Sequence, residues 1–173
     1  MKRLLVLLGL AAAVAIVAAV ALASSGRSSS TGAELPIPTN LPTAAPAGQM
    51  TLYGHIRTLK PSSQHWRVEM RFDPAWYTSG LTAKAAYHGI VPNDTYVIEE
   101  GHRLLTYIVA MNAKIRVLTN HGTGPVLTPI KLTELMRIVN GGPHRTLFEP
   151  LRTGVWIRVH SDTIQEINQH YRP

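Results

Sequence analysis

The chain has 173 residues, of which 45% are hydrophobic, and a formal net charge of +7. It contains no cysteine, which excludes disulfides, thiolate metal sites and a cysteine nucleophile. From Met50 onward the net charge is +5, from 14 Lys and Arg against 9 Asp and Glu. No basic run is dense enough to predict nucleic acid as a partner.

The N-terminal residues are predicted to take the chain out of the cytoplasm. Lys2 and Arg3 precede 20 uncharged residues, 4–23, and that length matches a membrane-spanning helix. Ala21-Leu22-Ala23 also has the form of a signal-peptide cleavage site. We favour an uncleaved single-pass anchor that contacts the membrane through residues 4–23, with secretion after cleavage as the alternative. Both interpretations place the remaining residues outside the cytoplasmic membrane.

The composition then divides the chain into three parts: the apolar segment 1–23, a linker 24–49 and an exported domain 50–173. The linker is rich in Ser, Pro and Ala and is predicted to be disordered, because it has too little apolar surface to bury. Its prolines favour extended, polyproline-like segments, and they lie at positions 36, 38, 42 and 46.

The exported domain is predicted to begin with two strands, Met50–Lys60 and His65–Asp73. Apolar and charged residues alternate in the second strand: Trp66, Val68, Met70 and Phe72 alternate with Arg67, Glu69 and Arg71. We expect the apolar set to be buried and the charged set to face solvent. Gly54 is predicted to mark a bulge or bend in the first strand, and Asp73-Pro74 is predicted to end the second.

Two helices and three strands are predicted for the middle of the domain. The first helix begins at Ser79 or Thr82 and stops at Gly89. Strand-forming residues then define three segments, 94–100, 104–110 and 114–120, with Glu99–Gly101 as a hairpin tip. The second helix begins near Thr128-Pro129 and has an apolar face formed by Leu132, Leu135, Met136 and Val139.

The end of the chain is predicted to be a strand pair. Val155, Ile157 and Val159 are expected to point inward from the first of these strands. Residues 163–171 fit either a helix that starts with a capping box or a strand that follows a turn at Ser161-Asp162; we adopt the strand. The whole pattern predicts a mainly β (α+β) fold, a small OB-like β-barrel with one or two short helices, after an apolar helix and a disordered linker.

Four segments of the exported domain resemble a family of uncharacterised exported actinobacterial proteins. They are "RFDPAWYTSGLTA", "VPNDTYVIEEGHRLLTYIV", "TPIKLTELMRIVNGG" and "FEPLRTGVWIRVHSDTIQEINQHYRP". Members show similar Asp-Pro-Ala-aromatic and Pro-Asn-Asp stretches. The resemblance implies an exported single domain and implies no activity, cofactor or catalytic residue.

No motif in the sequence predicts a catalytic residue, a cofactor or a metal site. The eight histidines lack the short spacing of metal ligands, and no serine-nucleophile elbow or phosphate-binding loop occurs. Paired carboxylates would support the hydrolysis of cell-wall glycans. The candidates for such a pair are Asp73, Asp94, Glu99 and Glu100, although the first two also suit turns.

The stretch from Arg71 to His102 holds the best candidate surface for binding a partner. Trp76 and Tyr77 follow the predicted strand end, and aromatic side chains of this kind dominate the energetics of many interfaces. The predicted binding residues are Arg71, Trp76, Tyr77, His88 and Tyr96. The sequence therefore predicts an extracytoplasmic, membrane-anchored binding module whose partner is a protein or an envelope polymer; the alternative is a wall-glycan hydrolase.

The N-terminal prediction is tested by mass spectrometry of the mature chain. We expect the intact N-terminus in the membrane fraction, because 20 uncharged residues are long enough to span the bilayer. A mature species that begins at Ser24 would contradict the anchor and support the cleaved signal peptide.

Overall fold

The computed structural model describes residues 42–63, 67–99, 101, 103–122 and 124–172, all within one of the chain's two units, residues 35–173. The apolar segment 1–23, most of the linker and Trp66 lie outside these residues. In the described part, no helix combines the length and apolar character needed to cross a membrane.

The described residues form seven strands and two α-helices, so the domain is mainly β, as predicted. In chain order they are β1 (Met50–Pro61), β2 (Val68–Ser79), α1 (Gly80–Tyr87), β3 (Thr95–Ile98), β4 (Leu105–Asn120), β5 (Pro125–Ile130), α2 (Leu132–Val139), β6 (Val155–His160) and β7 (Thr163–Gln169). Short 3-10 turns occur at Pro92–Asp94 and Leu151–Thr153.

Five of the strands close into a barrel. Each strand pairs with the next in the order β1, β2, β4, β7, β6 and back to β1, and every pairing is antiparallel except the parallel pair β4–β7. The far end of β2 pairs with β3, and the far end of β4 pairs with β5. Helix α2 lies between β5 and β6 in the chain and contacts β1 and β4.

The interior of the barrel is filled by the apolar residues that alternate along the strands. In β2, Val68, Met70 and Phe72 are buried, as predicted. Of the charged residues expected to face solvent, Arg71 and the preceding Arg67 are exposed, whereas Glu69 is half-buried. The predicted inward set of β6, Val155, Ile157 and Val159, is also buried. Leu132 and Leu135 extend the core from α2, and Met136 and Val139 pack against it. Each fully buried side chain of this size contributes roughly 2 kcal/mol to the hydrophobic stabilisation.

The prediction that β2 ends at Asp73-Pro74 is wrong, since the strand continues to Ser79. Pro74 lies opposite Gly54 of β1. A Cβ atom on Gly54 would lie 2.1 Å from the Asp73 carbonyl oxygen and 2.9 Å from Pro74 Cα. The glycine therefore allows the two backbones to approach closely, and the strand passes through its proline without leaving the sheet.

Two further boundaries differ from the prediction. Segments 104–110 and 114–120 belong to one strand, β4, whose register with β7 shifts between Val109 and Lys114, so the strand is irregular there but does not end. Residues near Thr128-Pro129 form β5 and not the start of a helix. Pro129 is tolerated because β5 is an edge strand, where a missing N–H need not break a ladder.

The predicted hairpin tip at Glu99–Gly101 is also wrong. Strands β3 and β4 both run antiparallel to β2 and pair with successive parts of it, so they run in the same direction and do not form a hairpin. The adopted strand at the C-terminus is confirmed as β7. Ser161 and Asp162 both have positive φ, 46° and 59°, which fits the tight hairpin turn predicted there.

The close approach at Gly54 predicts a large effect of one methyl group. Gly54→Ala should lower the free energy of unfolding by about 3 kcal/mol or more, because its Cβ would overlap the backbone of β2. Gly89→Ala is the matched control, since its Cβ would meet only Tyr87 at 3.8 Å and should change stability by less than about 0.5 kcal/mol. Urea unfolding measures both, and equal small effects would contradict the predicted clash.

Candidate functional site

Three aromatic rings and one imidazole pack together on the outer face of the barrel wall. They belong to Tyr53 of β1, Tyr77 of β2, Trp156 of β6 and His170, which follows β7. Their ring centroids lie 4.6–6.0 Å apart in tilted or edge-on arrangements. Such distances are typical of stabilising aromatic pairs. We call these four residues the aromatic cluster.

Strand alternation and register bring the cluster together. Leu52 packs against the core, so its neighbour Tyr53 faces outward, and Trp156 faces outward beside the buried Ile157. In the β1–β6 ladder, Tyr53 lies directly opposite Trp156. The continuation of β2 beyond Pro74 adds Tyr77, so the cluster depends on the strand extension described above.

Two polar groups of the cluster are bonded within the protein, whereas the buried His170 Nε2 has no hydrogen-bond partner among the described residues. The Tyr53 hydroxyl donates to the Thr153 carbonyl oxygen at 2.9 Å, and the Trp156 indole N–H donates to His170 Nδ1 at 3.2 Å. Gly154 lies beneath the Tyr53 ring, where a Cβ atom would come within 2.1 Å of the hydroxyl oxygen. The rings are therefore held in place. Tyr53 and His170 are buried, whereas Tyr77 and Trp156 are half-buried and keep part of their surface for contact with other molecules.

Burial keeps the cluster uncharged at neutral pH. Burial raises the pKa of Tyr53 to about 12, against the opposing positive charge of Arg172. Burial and the same charge lower the pKa of His170 to about 4. Both groups are neutral between these values, and this part of the surface therefore suits an apolar or uncharged ligand.

A groove of about 590 Å³ lies against the cluster. Tyr53, Tyr77 and Trp156 form one part of its lining, while Trp76 adds an indole that is 60% exposed and Arg103 adds a positive charge. The other lining residues are Thr51, Leu52, Pro74, Ala75 and Leu105. This volume is in the range of ligand-binding sites. We call it the aromatic groove.

Two of the five residues predicted to bind a partner, Trp76 and Tyr77, line the aromatic groove. The other three do not. Arg71 is exposed on the barrel part of β2, Tyr96 is half-buried on β3, and His88 follows α1 in a left-handed conformation with φ of 59°. The structure therefore joins the Trp76-Tyr77 pair to a surface that sequence analysis did not identify.

Tyr53 and Trp156 are the groove residues that sequence analysis missed. A signal for each was present, because both occupy outward positions on amphipathic strands where a charged or polar residue is usual. Tyr53 lies opposite Trp156 because β1 pairs with β6. Local sequence patterns do not reveal which distant strands pair or in which register.

The candidate carboxylates for glycan hydrolysis each lie beside a different basic residue. Asp73 accepts from Arg57 at 2.9 Å, Asp94 lies 3.2 Å from Lys84, and Glu99 lies 2.7 Å from His55. Glu100 lies outside the described residues. Within the described ranges, no group of three or more His, Asp or Glu side chains is placed to hold a metal ion.

Comparisons with family models, with curated proteins and with solved structures find no match for this chain. The interpretation of the site therefore depends on its own geometry.

The buried His170 predicts a loss of stability in acid. Above about pH 6.5, His170 is neutral in both the folded and the unfolded chain. As the pH falls from about 6.5, the unfolded chain binds a proton that the folded chain does not accept until its pKa of about 4. The folded state should lose about 3 kcal/mol over this window.

We expect His170→Gln to reduce this loss, because glutamine does not titrate and its side-chain oxygen can still accept from Trp156. Urea unfolding at pH 7 and pH 4 measures the difference for the wild type and the variant. An identical acid-induced loss of stability in both proteins would show that His170 is not its cause.

Proposed function

We propose that the exported domain is an OB-like binding module of the cell envelope, held outside the cytoplasmic membrane, and that it contacts its partner through the aromatic groove. The observation that carries this proposal is a groove of about 590 Å³ whose lining includes Tyr53, Tyr77 and Trp156 together with the exposed indole of Trp76. Aromatic side chains bury a large area at small entropic cost and dominate many interfaces.

The barrel topology supports the OB-like class. Five strands close the barrel in the order β1, β2, β4, β7 and β6, and α2 lies between the third and fourth barrel strands in the chain. OB folds are five-stranded Greek-key barrels that bind ligands on their surface. A shared fold does not by itself assign a ligand, so the proposed partner depends on the groove.

The sequence supports a position at the membrane. Residues 4–23 are uncharged and follow two basic residues, as in a single-pass anchor, and the linker 24–49 would hold the barrel away from the bilayer. The same segment would give a secreted protein if it were cleaved after Ala23. In both cases the partner is a protein or polymer of the envelope.

No described contact favours the hydrolase. That mechanism needs two carboxylates that face each other across a substrate, one of them protonated. The three described candidates instead lie beside Arg57, Lys84 and His55.

The proposal predicts that Trp76→Ala separates binding from stability. The variant should lose tenfold or more of its affinity for the isolated cell envelope, as expected for a central aromatic contact, while its free energy of unfolding changes by less than about 0.5 kcal/mol. The small effect on stability follows because the side chain is already 60% exposed. Co-sedimentation with envelope and urea unfolding measure the two quantities.

Met111→Ala is the matched control for this experiment. Met111 is also a large apolar residue, 68% exposed, and is not part of the groove lining. Its replacement should leave both binding and stability unchanged. Wild-type envelope binding by Trp76→Ala, or an equal loss of binding in both variants, would contradict the groove as the contact surface.

A further inference from the structure

We infer that the aromatic groove is occupied by the chain's own linker, residues 35–41. The inference deepens the proposed function, because it assigns a class of ligand, the proline-rich extended peptide, to the same groove. An outside partner would then compete with a segment that is covalently attached.

The position of Pro42 is the first reason. Pro42 and Thr43 are the first described residues of the chain, and Pro42 lines a narrow crevice together with Thr51 and Trp156. Thr51 and Trp156 also line the aromatic groove, so the crevice and the groove share a wall. Arg158 fixes this point, since its guanidinium donates to the Thr43 hydroxyl at 3.2 Å. The preceding residues therefore start beside the groove.

Unpartnered polar atoms in the crevice are the second reason. Thr51 Oγ1, Arg158 Nε and Asn168 Oδ1 are buried, and none has a hydrogen-bond partner among the described residues. All three residues line the crevice beside Pro42. Two of these atoms can donate and one can accept, which is the complement of an extended backbone with its carbonyl and N–H groups. Leu41, which is joined to Pro42, supplies both groups.

The chemistry of the segment is the third reason. The sequence Leu-Pro-Ile-Pro-Thr-Asn-Leu at 35–41 carries no charge and places its apolar residues among prolines. Prolines favour the polyproline conformation, about 3.1 Å per residue, so seven residues would cover roughly 20 Å. Proline-rich peptides of this kind bind to aromatic grooves, where ring faces contact the pyrrolidines. The groove offers the indole of Trp76, which is 60% exposed, and the half-buried rings of Tyr77 and Trp156.

Attachment strengthens the contact. A ligand joined by a short linker acts at an effective concentration in the millimolar range, so a weak intrinsic affinity is enough for high occupancy. Since the linker would have to leave before another ligand enters, its occupancy lowers the apparent affinity for an outside partner.

The test uses the full chain in detergent micelles and the indole N–H signals of Trp76 and Trp156 in NMR spectra, identified by single Trp→Phe substitutions. Ile37→Asp should shift both signals, because a carboxylate is costly to bury against aromatic rings. Ser30→Asp adds the same charge outside the segment and should leave both signals in place. Indole signals that move no more in Ile37→Asp than in Ser30→Asp would overturn the inference.

Envelope co-sedimentation separates this inference from the proposed function. If the linker fills the groove nine-tenths of the time, Ile37→Asp should bind envelope about tenfold more tightly than the wild type. Signal shifts in Ile37→Asp together with wild-type envelope binding by Trp76→Ala would support the linker contact and contradict the proposed function. If the indole signals do not shift in Ile37→Asp but Trp76→Ala loses envelope binding, the linker contact is overturned and the proposed function stands.

Discussion

Strand β4 holds the barrel closed. Its first residues pair with β2, its middle pairs in parallel with β7, and its last residues pair with β5. Without the β4–β7 ladder, the remaining strands would form an open sheet with two free edges, and the apolar interior would face water on one side. The outward orientation of Tyr53 and Trp156 also depends on this closure, because only a closed barrel defines an inside for their neighbours to fill.

The groove follows from the way β2 leaves the barrel. Over Val68–Phe72 this strand pairs with both β1 and β4, and beyond Pro74 it continues with β3 as its partner on the side that β4 occupied. The extension places Trp76 and Tyr77 beside β1, where Trp156 of β6 completes the wall. A strand that ended at Pro74, as the local sequence suggests, would leave no such wall. The small size of Gly54 is thus as important for the groove as any residue that lines it.

Patterns confined to a few neighbouring residues were predictable. The alternation in β2 and β6, the apolar face of α2 and the turn at Ser161-Asp162 all follow from local periodicity or turn chemistry. The errors occurred where a distant partner decides the outcome. The local sequence predicts a strand end at Pro74, because it does not show that Gly54 lies opposite. It predicts a helix start at Pro129, because the position of β5 at the sheet edge is a property of the whole sheet.

The same dependence on distant partners explains why only two of the four aromatic residues that line the groove could be predicted from the sequence. Trp76 and Tyr77 are adjacent in sequence and are therefore recognisable as an aromatic pair, whereas Tyr53 and Trp156 become neighbours only through the β1–β6 ladder. Outward aromatic residues on amphipathic strands are thus a useful local signal, but the surface they form depends on strand order.

The β1–β6 ladder also sets the order of events in folding. β1 is the first described strand and β6 is the last but one, so the ribosome must release almost the whole domain before these two strands can meet. Long-range pairing of this kind slows folding, because loop closure must be completed before the contacts stabilise it. During that interval the strands of the nascent barrel expose unpaired edges and apolar surface, which are the features that promote aggregation.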